Sequence, residues 1–166
     1  MKSTRFNVER LDWSTSRSFE ETVAAFEQEV PAAPIDKLQE LASSDASRAQ
    51  IETAVQALVG DLEFMYLAKL DPSPLVSRLG KHKKLLVYLL GNPVLANRMF
   101  EPRPDVGLYA PLRACIFEDY SGMCHFTYDR PSTLLQQFDD AEVRRIAGIL
   151  DEKMARLADS ITRANP

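Results

Sequence analysis

The chain has 166 residues, a length typical of one domain that can bury a sizeable hydrophobic core. Apolar residues make up 45% and charged residues 27%, a globular composition that excludes an intrinsically disordered chain. The net charge is −4, and acids and bases are mixed along the sequence, so no basic face for nucleic acid is expected.

Export and membrane signals are not expected in this sequence. Residues 1–13 carry charges throughout and have no apolar core of a signal peptide. The longest apolar run, residues 85–90, is far too short to cross a bilayer. Two cysteines in a chain of this size do not make a disulfide framework, so we expect a cytoplasmic protein.

The first elements are a strand and a helix. Residues 5–13 have strand-like alternation, and a shift in the apolar phase predicts a bulge or strand end near Arg10. Ser18 and Glu21 form a capping box ahead of apolar residues at helical spacing. Pro31 ends this helix.

Two short helices and a strand are predicted next. Apolar stripes over residues 35–60 indicate two helices, the second begun by a capping box of Ser47 and Gln50 and closed by Gly60 at its C′ position. Residues 62–70 are rich in strand-forming side chains and favour a strand, although their mixed pattern also suits a helix.

The middle of the chain contains the most apolar strand. Residues 83–90 are apolar on both alternating faces of a strand, which predicts a central strand covered on both faces. Asn92 and Pro93 then supply an N-cap and a first helical residue for a short helix that runs through Phe100.

A hairpin and a long helix complete the predicted domain, which spans residues 1–166. Residues 112–118 and 123–128 are strand-like and flank a short connection that contains Gly122. Residues 139–163 form an amphipathic helix with one long apolar stripe, which we expect to close the core.

Two stretches of the sequence resemble segments of a known family. The first is a strand–Asn-Pro–helix segment, LLVYLLGNP at residues 85–93 followed by Leu95 and Ala96. The second is a proline-led hairpin, PLRACIFED at residues 111–119 followed by Gly122 and by YDRP at residues 128–131. On these segments the chain resembles the bacterial and archaeal domain-of-unknown-function group DUF 302.

The resemblance implies an α+β fold of a TATA-binding-protein-like kind. The sheet would be antiparallel or mixed, with helices packed on one face and a long C-terminal helix closing the core. The family-like core would cover about residues 62–131, and residues 32–60 would be a helical insertion. The resemblance also implies that a homodimer is common, and it implies neither an activity nor a cofactor.

The two cysteines leave several arrangements open. A hairpin loop of two or four residues places Cys115 and Cys124 on one face as diagonal neighbours, whereas a three-residue loop with left-handed Gly122 places them on opposite faces. Neither register gives disulfide spacing. The three-residue register allows a Cys115/His125 pair with His82 as an outside ligand, but the closely spaced ligand pairs typical of zinc are missing, so we expect no metal site.

Two functions follow from this pattern. The preferred one is a non-enzymatic, homodimeric binding or accessory protein whose uncovered sheet face displays Ile116, Met123 or Leu86. The alternative is a thiol- or metal-dependent catalyst that uses the two cysteines with His125 or His82.

Two arrangements are open between the sheet and the final helix: a pocket for a small apolar or carboxylate-bearing molecule, or side chains that interdigitate at normal density and leave no room. Tyr128 and Arg113 would orient the ligand. The predicted walls are Tyr88, Arg113, Cys115, Phe126 and Tyr128, with Met154 and Leu157 on the final helix.

Overall fold

A computed structural model describes residues 1, 3–80 and 83–163. Within these ranges the chain forms one antiparallel sheet of five strands in the order β1-β5-β4-β3-β2. The strands are β1 (Arg10–Thr15), β2 (Met65–Leu70), β3 (Leu85–Gly91), β4 (Leu112–Glu118) and β5 (Cys124–Asp129). The helices are α1 (Phe19–Glu29), α2 (Ile35–Ala42), α3 (Arg48–Gln56), α4 (Ser73–Val76), α5 (Pro93–Phe100), α6 (Pro131–Leu135) and α7 (Ala141–Thr162). The described part of the chain contains no helix with the length and apolar character needed to cross a bilayer.

Local signals in the sequence set the starts of the helices. Ser18 accepts a hydrogen bond from the Glu21 amide at 3.2 Å, and the Glu21 carboxylate accepts one from the Ser18 amide at 2.8 Å, which confirms the first capping box. The second box, Ser47 with Gln50, is also present. Asn92 caps α5 as predicted, because its Oδ1 accepts from the amide of Val94 at 2.8 Å. Each such cap contributes about 1 kcal/mol.

Two predicted boundaries are wrong, and strand pairing explains both. The first strand begins at Arg10 instead of residue 5, because its partner β5 ends at Asp129, opposite Arg10. Beyond that point residues 5–9 have no strand beside them. The second strand begins at Met65 instead of residue 62, opposite the end of β3 at Gly91.

The prediction for Gly60 is also wrong. Helix α3 ends at Gln56, and Ala57 is its C-cap. Gly60 lies in the following turn, where its amide donates to the carbonyl of Phe64 at 2.9 Å. A Cβ atom at Gly60 would clash with the Glu29 carbonyl oxygen, so a close approach of two backbones requires glycine here.

The helices pack against one face of the sheet, which we call the covered face. Helix α7 buries the apolar stripe expected from the sequence, and α1 packs between it and β4. The stripe consists of Val143, Ile146, Leu150, Met154, Leu157 and Ile161. Burying side chains of this size contributes roughly 1.5–3 kcal/mol each, so this helix closes the core as predicted.

Side chains on β3 alternate between two environments. Leu86, Tyr88 and Leu90 are buried on the covered face, whereas Leu85, Val87 and Leu89 are only half-buried on the other. The strand lies inside the sheet, between β4 and β2, as predicted. The prediction that both its faces are covered is wrong, because the buried cluster lies on one side only.

Tyr88 joins the sheet to α1. Its ring packs against Phe26 with centroids 4.3 Å apart, and its hydroxyl donates to Glu27 Oε1 at 2.7 Å. Lys69 also donates to Glu27, at 2.6 Å. Burial opposes ionisation of Glu27, but the hydrogen bonds from Lys69 and Tyr88 outweigh burial and lower the pKa of this carboxyl. Burial and the Glu27 carboxylate raise the pKa of Tyr88, which stays protonated as a donor.

Tyr128 lies on the same face but differs in its hydrogen bonding. Its hydroxyl is buried without a hydrogen-bond partner among the described residues. A buried polar group in this state costs free energy in the folded protein.

The two tyrosines therefore give a matched pair of substitutions. We expect Tyr88→Phe to lower the free energy of unfolding by about 1.5–3 kcal/mol, because it removes a hydrogen bond to a carboxylate. Tyr128→Phe should leave the free energy unchanged or raise it by up to about 1 kcal/mol. Urea unfolding of both variants measures the difference, and an equal loss in both would contradict this view of the core.

Candidate functional site

The residues of the predicted pocket are divided between the two faces of the sheet. Tyr88, Phe126 and Tyr128 are buried on the covered face. Arg113 is exposed and Cys115 half-buried on the opposite face, because successive residues of β4 point to opposite sides. The five side chains therefore cannot line one pocket.

Met154 and Leu157 of α7, the two remaining predicted wall residues, belong to the hydrophobic core. Both are fully buried members of the same apolar cluster as the three covered-face aromatics. Large aromatic and aliphatic side chains fill the space between the two layers.

The other face of the sheet, which we call the open face, carries a mixed set of side chains. Its centre is apolar, on β2, β3 and β4, and its side along β1 and β5 is polar and charged. The registers place on it Arg10, Asp12, Ser14, Ala68, Leu70, Leu85, Val87, Leu89, Arg113, Cys115, Phe117, His125, Thr127 and Asp129. Nothing in the sequence distinguished this face of β3, because every residue from 85 to 90 is apolar.

The three residues that the sequence analysis expected on the uncovered face of the sheet do not lie there. Ile116 is 0% and Leu86 6% exposed, and both lie on the covered face. Met123 is exposed, but it belongs to the hairpin turn. The display of Ile116 and Leu86 is thus a wrong prediction, and the adjacent positions carry the open face instead.

The hairpin adopts the three-residue register. The Asp119 amide donates to the carbonyl of Met123 at 2.9 Å, and Gly122 has a φ of 89°, in the left-handed region that favours glycine. Cys115 therefore lies on the open face and Cys124 on the covered face.

Neither thiol is activated as a nucleophile. Burial raises the pKa of the Cys124 thiol, which is 1% exposed. Burial also raises the pKa of Cys115, and the Asp12 carboxylate acts in the same direction. A reactive cysteine needs a lowered pKa and access to solvent. The arrangement of these two thiols does not favour the thiol-dependent catalyst.

His125 is held between two carboxylates on the open face. Its Nδ1 lies 2.7 Å from Asp12 Oδ1, and its Nε2 lies 3.4 Å from Asp119 Oδ2. Its ring stacks on Phe117 with centroids 4.8 Å apart. Because both ring nitrogens face carboxylates, the imidazole is committed to these contacts and is poorly placed as a general base or metal ligand.

The set of metal ligands that the three-residue register allows is only partly described. Cys115 and His125 share the open face, as the three-residue register requires, while His82 lies outside the described residues. Across the ranges 1, 3–80 and 83–163, no group of three or more histidine, cysteine, aspartate or glutamate side chains could hold a metal ion.

The carboxylates around His125 predict a pH-dependent contribution to stability. Burial opposes the charged imidazole, but Asp12 and Asp119 outweigh it and raise the pKa of His125. The stabilisation is therefore complete below the ordinary value of about 6.5 and is lost as pH rises through the higher folded value. From about pH 5.5 to about pH 8.5, wild type should lose about 0.5–1 kcal/mol relative to His125→Gln in urea unfolding. Parallel pH profiles of the two proteins would contradict the ion pairs.

The thiol geometry gives a second prediction for this site. Neither Cys115 nor Cys124 should react rapidly with iodoacetamide in the native protein below about pH 8, because burial keeps both thiols protonated. Both should react after unfolding in urea, which serves as the control. Fast native labelling of either residue, read by mass spectrometry, would restore the thiol-dependent catalyst as a candidate.

A comparison with solved structures agrees with the fold. A solved structure described as "Crystal structure of uncharacterized conserved protein DUF302 from Bacillus stearothermophilus" superposes with a TM-score of 0.65 and 15% sequence identity. The alignment covers 93% of this chain and 98% of that one, and at this identity the likeness shows the fold alone. No match to the chain was found among curated proteins.

The family model described as "Domain of unknown function DUF302" matches residues 39–161. The match is longer than the family-like core expected at residues 62–131 and reaches into α7. It begins inside residues 32–60, whose description as an insertion stays a prediction. Because the family model spans most of the sequence, the chain belongs to the DUF302 family of unknown function.

Proposed function

We propose that this chain is a non-enzymatic binding or accessory protein of the cytoplasm, and that two copies associate through their open faces. The observation that carries the proposal is the apolar centre of the open face. The two free cysteines fit a reducing compartment, and the net charge of −4 argues against a nucleic-acid partner.

The apolar centre occupies the middle strands of the sheet. Leu85, Val87 and Leu89 run along β3, and Phe117 lies beside Leu85 on β4. On the other side of β3, Leu70 of β2 pairs with Val87 and is 52% exposed. A contiguous apolar surface on a sheet is typical of a protein–protein interface.

The polar and charged side of the open face, along β1 and β5, is compatible with self-association, and we call it the charged rim. Arg10 is paired across the strands with Asp129, and Arg113 lies on the other side of Asp129. Asp12 lies beside them on β1, so the rim carries both signs of charge. In a dimer with a twofold axis, the same surface of both copies forms the interface. Because the rim carries charges of both signs, two rims can meet there without net repulsion between like charges.

The area of the open face determines how tightly two copies are expected to associate. Five strands spaced about 4.8 Å apart, with about six residues each, give a face of about 24 Å by 20 Å. Two such faces bury about 1,000 Å² in total, near the lower limit for a specific interface. We therefore expect a dimer that dissociates on dilution.

Substitution at the centre of the face tests this proposal. In sedimentation velocity at micromolar concentration, wild type should show a monomer–dimer equilibrium. Val87→Lys should weaken association at least about tenfold, because a lysine ammonium would be buried without a partner.

Val94→Lys is the matched control. Val94 is also a half-buried valine, but it lies on α5, in the helical layer that packs against α7. Its replacement should leave the association constant unchanged. A monomer at all concentrations of wild type, or equal weakening by both variants, would refute the open face as the dimer interface.

A further inference from the structure

A cavity of about 230 Å³ lies at one end of the sheet, apart from the open-face centre. It lies where β3 leads into α5 and where the chain enters β4, and it is partly open to solvent. Its walls include Leu90, Leu95, Met99, Phe100, Tyr109 and Leu150. Leu150 belongs to the buried stripe of α7, so the cavity reaches the main core.

Small residues contribute to the space. Gly91 and Ala96 both line the cavity. A Cβ atom at Gly91 would come no closer than 3.8 Å to the nearest atom, the Cβ of Pro111, so the site accommodates a side chain without a clash. An unfilled apolar cavity destabilises a protein, because its walls lose van der Waals contacts.

The walls offer almost no polar partner. None of the residues that line the cavity is charged, and Asn92 and Tyr109 carry its polar side-chain groups. The Asn92 amide is already committed. Its Oδ1 accepts from the amides of Val94 and Leu95, and its Nδ2 donates to the Glu63 carbonyl at 3.0 Å. A carboxylate in this cavity would lose its hydration without gaining a counter-ion.

The volume limits the size of an occupant. An engineered apolar cavity of about 150 Å³ stays dry and binds benzene or xenon. Ligand pockets for larger molecules begin at about 300 Å³. A cavity of about 230 Å³ lies between these limits, which corresponds to one aromatic ring with a small substituent or to a short hydrocarbon chain.

We propose that this cavity binds an uncharged apolar molecule about the size of a substituted benzene ring. This inference rests on the proposed binding function and specifies the class of ligand. It does not depend on self-association, because the walls of the cavity lie apart from the apolar centre of the open face. Carboxylate-bearing ligands are excluded from it by the absence of charge on the lining residues.

Toluene and benzoate form a matched pair of probes. At a concentration about ten times its dissociation constant, toluene should raise the melting midpoint by about 3 to 5 °C. Benzoate at the same concentration should leave the midpoint unchanged, because its ring is similar but its carboxylate is charged. A shift with benzoate equal to that with toluene would overturn the ligand class, and no shift with toluene would overturn the site.

Ala96→Leu locates the binding. The larger side chain should fill the cavity and abolish the toluene shift, whereas Val94→Leu, on the same helix but outside the cavity wall, should retain it. A toluene shift that persists in a folded Ala96→Leu protein would overturn the assignment.

Xenon binding to wild type gives a readout that does not depend on the variants. Saturable perturbation of methyl resonances of Leu95 and Met99 by dissolved xenon is the expected result, and perturbation confined to surface methyl groups would overturn the proposal. If sedimentation shows no dimer, the results expected with toluene and with xenon stay the same. The two proposals can therefore be refuted independently.

Discussion

The strict alternation of side chains across a sheet covered on one face is the constraint on which the rest of this structure depends. On β3 it buries Tyr88 against α1 and leaves Val87, its neighbour, half-buried on the open face. The same alternation along β4 and β5 separates Cys115 from Cys124. One geometric rule thus determines which residues form the core, which thiols can meet and which surface is free for a partner.

This division does not favour the thiol-dependent catalyst that the sequence left open. A thiol-dependent catalyst needs a cysteine with a lowered pKa and access to solvent, and a base within reach of its thiol. Here burial raises the pKa of both thiols, and the one described histidine holds β1 and the hairpin together through Asp12 and Asp119. What remains accessible is an apolar surface on the open face and an apolar cavity at the end of the sheet, both suited to association.

Features determined by neighbouring residues could be predicted from the sequence. The capping box at Ser18, the N-cap at Asn92 and the apolar stripe of α7 each depend on spacing within one or two helical turns. Features determined by distant partners could not. The start of β1 depends on where β5 ends, and the buried face of β3 cannot be recognised when all six residues from 85 to 90 are apolar. The prediction of one pocket was wrong for the same reason, because the sequence did not show on which face of the sheet Arg113 lies.

Cross-linking of single-cysteine chains tests the central claim, that the uncovered face of the sheet is where two copies meet. With Cys115 and Cys124 replaced by alanine, Val87→Cys places a thiol at the centre of the open face, and Val94→Cys places one in the helical layer. A short bismaleimide at micromolar protein should convert the Val87→Cys chain into a covalent dimer and leave the Val94→Cys chain monomeric. A covalent dimer from Val94→Cys alone, or none from Val87→Cys, would contradict the account.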